Sequence, residues 1–301
     1  MKSDEVNCIP GSDTKIREHS LVLEIGSGNS PWIRSDILVD QYLEDSYGHR
    51  GGANIFIDNR PLLIASGHNL PLRDKSVDFV YSSQVLDHVE DPAAMLREMA
   101  RVGKAGYLEC SNPLMERFQS PPVHLWYVTA YDNKLYLAAK TPETNISTEL
   151  DRFIFHLLSD HFLIKHYWSY FQTNLHWREK IDFELCDVKT VFSLVKLNPN
   201  YQEFILRQRT FFLFHAFMES LSFYFWGKIR GHSWGNILRR IWKFNFAKAH
   251  TAKKVRASPK VMRQILVCPK CTGPLSFTSN LLTCNRCGKE FSRQGNIFHF
   301  L

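Results

Sequence analysis

The sequence predicts an α/β protein, a parallel sheet with helices on its faces, followed by a small cysteine-stapled tail. Three observations carry this. A glycine turn, Gly26-Ser27-Gly28, sits between two short apolar runs. Strand-like and helix-like segments then alternate as far as Pro113. Two C-x-x-C pairs close the chain. With 301 residues, 44% of them hydrophobic, the chain can bury one sizeable core and something smaller.

The first strand is predicted over Leu21, Val22, Leu23 and Ile25, and the second over Ile37 to Val39, closed by Asp40. Glycines suit a sharp turn that a ligand approaches closely, and an acid ending the next strand can accept hydrogen bonds from both hydroxyls of a ribose. Only eleven residues separate Gly28 from Asp40, so the first crossover is expected to be a loop around Pro31 and Trp32. Leu70-Pro71-Leu72 reads as a turn beside a cleft, Arg73 to Ser76 as a polar loop, and Val77 to Tyr81 as a buried strand. Val85 to Val89 is expected to start a helix that stops at Asp91-Pro92. Asp91 then suits an N-cap with Pro92 at the first helical position, which predicts a helix over Ala93 to Val102 and a strand over Gly106 to Cys110. Alternation at this rhythm is the signature of a parallel sheet.

The turn lacks the third glycine of a dinucleotide site, where Pro31 stands, and the Gly-Lys-Ser/Thr of a P-loop. Its E-x-G-x-G, with Glu24 at the strand end, resembles motif I of class I S-adenosylmethionine-dependent methyltransferases, with Ser30 at that motif's third glycine. The run Asn69 to Pro92, NLPLRDKSVDFVYSSQVLDHVEDP, is similar to the type 11 members of that class. The resemblance covers residues 21 to 113. It implies a Rossmann-like methyltransferase sheet and S-adenosylmethionine as cofactor, held by Glu24, Gly26, Ser27, Gly28, Asp40, Ser66, Gly67, His68, Ser83 and Gln84. Ser66 stands where most relatives carry an acid for the adenine amino group. Methyl transfer needs a nucleophile held in line with the methyl and shielded from water. The acceptor is expected at the carboxyl ends of strands four and five, near Ser82, Ser83 and Gln84 and near Ser111, Asn112 and Pro113. Asp87, His88 and His124 are the candidate bases for a hydroxyl acceptor. Asp87 and His88 also suit a structural role at a helix start, and His124 lies in a loop, PPVHLWYV.

Cys268, Cys271, Cys284 and Cys287 form two C-x-x-C knuckles twelve residues apart. Four thiolates at such spacing suit a tetrahedral zinc with no open position, hence a structural ion. Disulfides within adjacent C-x-x-C pairs would be strained, and a redox role would favour one isolated pair. The tail Ile265 to Leu301 resembles the small zinc-ribbon family that activates tRNA and protein methyltransferases, which implies an internal activator or substrate-positioning module. Cys8, Cys110 and Cys186 read as ordinary thiols. The expected organisation is a methyltransferase-like domain over 1–200, an aromatic, basic helical segment and linker over 201–260, and a zinc ribbon over 261–301.

Within the first part, Trp126 to Lys140 reads as a hairpin turning at Asp132-Asn133, Leu150 to Tyr170 as helical, and Ile181 to Val188 as a late sheet strand. Phe211 to Ile229 is nearly long enough to span a bilayer, but His215 and Glu219 interrupt it, so no transmembrane segment is expected. A buried or dimer-forming helix and an interfacial helix both fit, the latter because Trp226, Lys228, Arg230, Trp234, Arg239, Arg240, Trp242 and Lys243 follow. Ser220 to Lys289 holds no Asp or Glu and fourteen Lys and Arg, whereas the chain before it is net acidic, within a total of +7. Such a block attracts phosphate, on an anionic membrane surface or on RNA, or is simply a solvated linker. The N-terminus MKSDEVNCIPGSDTK has no apolar core, so the expected location is the cytoplasm, including its membrane periphery.

The favoured function is a methyltransferase acting on a small molecule, a cell-surface glycan or a lipid-linked intermediate. An RNA methyltransferase gripping its substrate through the basic segment and ribbon is the alternative within enzymes. A methyltransferase fold kept as a scaffold is the alternative outside them. Neither the acceptor nor the oligomeric state, including a homo-oligomer, is legible.

Overall fold

The computed structural model describes residues 8–9, 15–45, 48, 50, 52–153, 168–195 and 256–301. Residues 1–195 and 254–301 form one compact unit and 196–253 a second. The second, with most of the aromatic, basic segment expected over 201–260, lies outside the described residues, as does most of the helix expected over Leu150 to Tyr170.

The sheet begins with β1 (Val22–Ile25), β2 (Ile37–Asp40), β3 (Leu62–Ile64), β4 (Val77–Ser83) and β5 (Gly103–Ser111). These run parallel in the order β3-β2-β1-β4-β5. Strand order therefore reverses between β1 and β4, and in open α/β sheets ligands bind outside the carboxyl ends of the strands at that point. One helix, α1 (Pro92–Val102), crosses from β4 to β5. Its start follows from the sequence, since Asp91 accepts from the Ala94 amide at 2.9 Å and Pro92 needs no partner for an N–H it lacks. Met95, Leu96, Met99 and Val102 fall on one face at helical spacing and are buried against Leu23, Ile25 and Val80.

The crossover between β1 and β2 holds no helix, as its length predicts. Two buried ion pairs brace it. Arg34, fully buried, meets Asp36 at 2.8 Å and donates to the carbonyls of Arg17, Glu18 and Ser20. Arg60 pairs with Asp58 at 2.9 Å and reaches the carbonyls of Trp32 and Ser35.

Two expectations are corrected. Val85 to Val89 is a turn, not a helix: His88 N closes it onto Val85 O at 3.0 Å, and Leu125 N, from outside the segment, takes the Asp87 carbonyl at 2.7 Å. The late strand of the main sheet is β8 (Gln172–Arg178), antiparallel to β5, following α2 (Pro113–Phe118) and the hairpin β6 (Trp126–Tyr131) and β7 (Lys134–Ala139). The segment around Ile181 instead gives β9 (Phe183–Leu185), which joins the hairpin in a separate three-stranded sheet packed against α3 (Val188–Ser193). The hairpin turns at Asp132 and Asn133, both at positive φ (49° and 59°), the geometry that favours Asp and Asn.

The C-terminal tail is built into the sheet. Its elements are α4 (Pro259–Ile265), β10 (Leu275–Phe277), β11 (Leu281–Cys284), β12 (Glu290–Gln294) and β13 (Ile297–His299). β13 lies parallel to β3 with Ile297, Phe298 and His299 opposite Leu62, Leu63 and Ile64, and Phe300 N donates to Ile64 O at 2.8 Å. This covers an edge that would otherwise present unpaired peptide groups. A second attachment joins the Leu70–Arg73 loop: Val267 N donates to Pro71 O at 3.0 Å and Arg73 N to Ile265 O at 2.8 Å. The resulting sheet has ten strands, and Leu266, Leu282, Phe291, Phe298 and Phe300 share one apolar core with Ile25, Val39 and Met95.

Candidate active site and metal centre

Gly26 and Gly28 end β1 with φ of 74° and 52°. A Cβ on Gly26 would sit 2.2 Å from Val85 Cγ2, so only glycine fits where the β1 turn meets the turn after β4. Gly28 N donates to Asp40 Oδ2 at 2.9 Å and Tyr42 N to Asp40 Oδ1 at 3.1 Å, so the acid at the end of β2 folds back onto the glycine turn. Arg50 stands 3.4 Å from Asp40 and ties its loop together through the carbonyls of Tyr42, Leu43 and Ala53. A carboxylate has about four acceptor positions. Asp40 Oδ2 therefore keeps capacity for a ligand hydroxyl.

Glu24 is buried, and both of its oxygens lie within 3.1 Å of the Trp32 amide, so it pins the crossover loop. Ser27 Oγ and His68 Nε2 are buried without a hydrogen-bond partner. Both belong to the set expected around a cofactor, and orphaned buried polar atoms of this kind fit a ligand that would complete them. Ser66 Oγ lies 3.2 Å from His68 Nδ1, and Gly67 packs beside Ile25 and Met95. Past β4, Ser83 Oγ donates to Glu109 Oε1 at 2.7 Å, and Gln84, at φ 57°, donates through its amide nitrogen to Gln172 Oε1. The residues expected at a cofactor site thus lie at the carboxyl ends of β1 to β4.

On the β5 side, Asp87, His88 and His124 come together. Asp87 is fully buried, 3.8 Å from His88 Nε2 and 3.6 Å from His124 Nδ1, and the two imidazoles meet edge to face at 4.5 Å. Burial is the main influence on Asp87 and pushes its carboxyl above the ordinary range, against the pull of His124. Two participants were not legible in the sequence. Glu116, fully buried in α2, takes His124 Nδ1 at 2.5 Å, and Lys140, just past β7, donates to its other oxygen at 2.9 Å. Nothing local marks them, because the three residues meet only when α2, the following loop and the hairpin pack together.

The four tail cysteines converge. Cys268 Sγ lies 3.7 Å from Cys287 Sγ, and Cys271 Sγ lies 3.4 Å from Cys284 Sγ. A tetrahedral zinc with sulfur at ~2.3 Å has edges of roughly 3.8 Å, so the thiols stand nearly where an ion needs them. Desolvation opposes ionisation of Cys284, but the Cys287 and Arg286 amides together with the Cys271 and Cys287 thiols outweigh it and draw that thiol down to about 6. A Cβ on Gly273 would sit 3.0 Å from Cys284 Sγ and 3.2 Å from Cys271 Sγ, so the knuckle backbone closes directly onto the sulfurs. These four cysteines could hold a zinc ion.

No helix among the described residues is long and apolar enough to cross a membrane. Residues 48–108 match a family model described as a methyltransferase domain. The match runs from the loop after β2 into β5 and leaves out Glu24 to Asp40. No curated protein matches the chain. Solved structures similar to parts of it include a complex between the Haloferax volcanii Trm112 methyltransferase activator and a protein described as a methyltransferase, at 23% identity over 32% of this chain and 47% of that one, TM-score 0.27. A SAM-dependent methyltransferase from Thermotoga maritima is 24% identical over 36% and 49%, TM-score 0.25. The YcgJ protein of Bacillus subtilis is 24% identical over 36% and 55%, TM-score 0.26. The chain spans about half the length of each of these structures, and its methyltransferase-type segment is a match of part of the chain.

Proposed function

We propose that the protein is an S-adenosylmethionine-dependent methyltransferase with a built-in structural zinc module. The observation that carries this is the turn at the sheet's switch point, where Gly26 and Gly28 take up left-handed backbone and Asp40 folds back onto the turn with an acceptor position to spare. Bound there, S-adenosylmethionine would supply an activated methyl group on a sulfonium. Asp40 would accept from ribose hydroxyls, and Ser27 and His68 would find in the cofactor the partners they lack within the protein. Ser66, Gly67, Ser83 and Gln84 would complete the walls.

The acceptor would enter at the carboxyl ends of β4 and β5, beside Asp87, His88 and His124. Oxygen acceptors on a small molecule, a glycan or a lipid-linked intermediate suit this buried polar cluster. The cysteine tetrad would hold zinc to keep β13 on the edge of β3, which makes the tail a brace for the sheet that carries the cofactor site.

The test is cofactor titration of two variants. Gly26→Arg should fill the turn and Asp40→Ala should remove the ribose acceptor, and each should abolish binding while zinc content stays unchanged. Undiminished affinity in both would place the cofactor elsewhere or remove it from the account.

A further inference from the structure

We propose that Asp87, His88 and His124 form a second metal site, for a divalent transition-metal ion, at the acceptor end of the cleft. One ligand atom from each residue lies within 4.8 Å of those from the other two, close enough that small side-chain shifts would gather them about a single ion. Asp87 supplies an independent sign. Its side chain is fully buried, yet Oδ1 has no hydrogen-bond partner. A buried carboxylate oxygen left this way costs free energy that a coordinated cation would recover.

The surroundings of His124 point the same way. Its Nδ1 meets Glu116, a fully buried carboxylate held from its far side by Lys140. A carboxylate behind a ligating histidine is the usual way such a ring is fixed in place. Two imidazoles and one carboxylate suit zinc, iron, cobalt or nickel rather than magnesium or calcium. Three protein ligands leave coordination positions open, unlike the closed tetrad of cysteines.

The role, holding and polarising an acceptor oxygen, rests on the methyltransferase reading. The occupancy does not. Asp87 and His88 follow β4 by a few residues, and His124 approaches from the loop between α2 and β6, so an ion here would face the ends of β4 and β5.

The experiment is cobalt(II) titration of the full chain after chelator treatment. The wild-type protein should take up two equivalents, one with the intense thiolate-to-cobalt band of the cysteine site and one with only weak visible bands. His88→Ala and His124→Ala should each lose the weak-band equivalent and keep the thiolate band, which also reports that the tail is folded. Cys271→Ser should do the reverse. Uptake of one equivalent by the wild-type protein would overturn the proposal, as would retention of both by the two histidine variants. Should a histidine variant fail to fold, the wild-type stoichiometry still decides the matter. Two bound metals in a protein that ignores S-adenosylmethionine would uphold the site and reject the methyltransferase reading.

Discussion

Truncating Phe298 to alanine tests whether the cysteine tail is structurally part of the methyltransferase-like sheet. Phe298 is 4% exposed, stands opposite Leu63 in the β13–β3 ladder, and shares one core with Phe291, Phe300, Ile25 and Val39. Removing a buried phenylalanine ring costs about 3–5 kcal/mol when the cavity collapses only in part. In a unit of this size each kcal/mol lowers the melting temperature by roughly 2–4 °C, so Phe298→Ala should lower it by roughly 6–20 °C. Calorimetry of the zinc-loaded protein should show the sheet's own transition moving by that amount. A separate tail transition that shifts while the main one stays fixed would refute the claim that β13 is a strand of the main sheet.

Other outcomes follow from the same geometry. Cys271→Ser should abolish stoichiometric zinc in elemental analysis, and full retention would dismiss the tetrathiolate site. Arg34→Met strips Asp36 of a partner at 2.8 Å inside the protein, and unfolding in urea should register a loss of about 3–5 kcal/mol; a loss below about 1 kcal/mol would mean the pair does not brace the crossover. Burial holds the His176 imidazole below its ordinary value of 6.5. The unfolded chain then binds the extra proton first, so the His176 contribution to stability is complete above pH 6.5 and is lost as pH falls through the folded value. Melting temperature should drop over that window, and His176→Gln should flatten the drop; an unchanged profile would assign it to other groups.

Local signals account for what the sequence revealed. The glycine turn with Asp40, the Asp91-Pro92 helix start and the Asp132-Asn133 hairpin each depend on a few consecutive residues whose backbone needs are specific. The cysteine knuckles are legible for the same reason, because each x-x turn places its own pair of sulfurs. What depends on distant partners was not legible. Val85 to Val89 reads in the sequence as the start of a helix, but Val85 is packed against Gly26 and the Asp87 carbonyl is taken by Leu125. The segment near Ile181 pairs with the hairpin edge, where Cys186 N finds Leu137 O at 2.9 Å. Glu116 and Lys140 belong to elements separated by the whole loop and hairpin, and their charges become a buried pair only after packing. Nor does any motif reveal that the last strand completes the edge of β3.

Calorimetric titration of the zinc-loaded protein with S-adenosylmethionine, and with its demethylated product S-adenosylhomocysteine, tests the central claim most directly. Saturable binding of one equivalent in the micromolar range is the predicted result. A folded, zinc-loaded protein that binds neither compound would contradict the methyltransferase account and leave the fold serving as a scaffold.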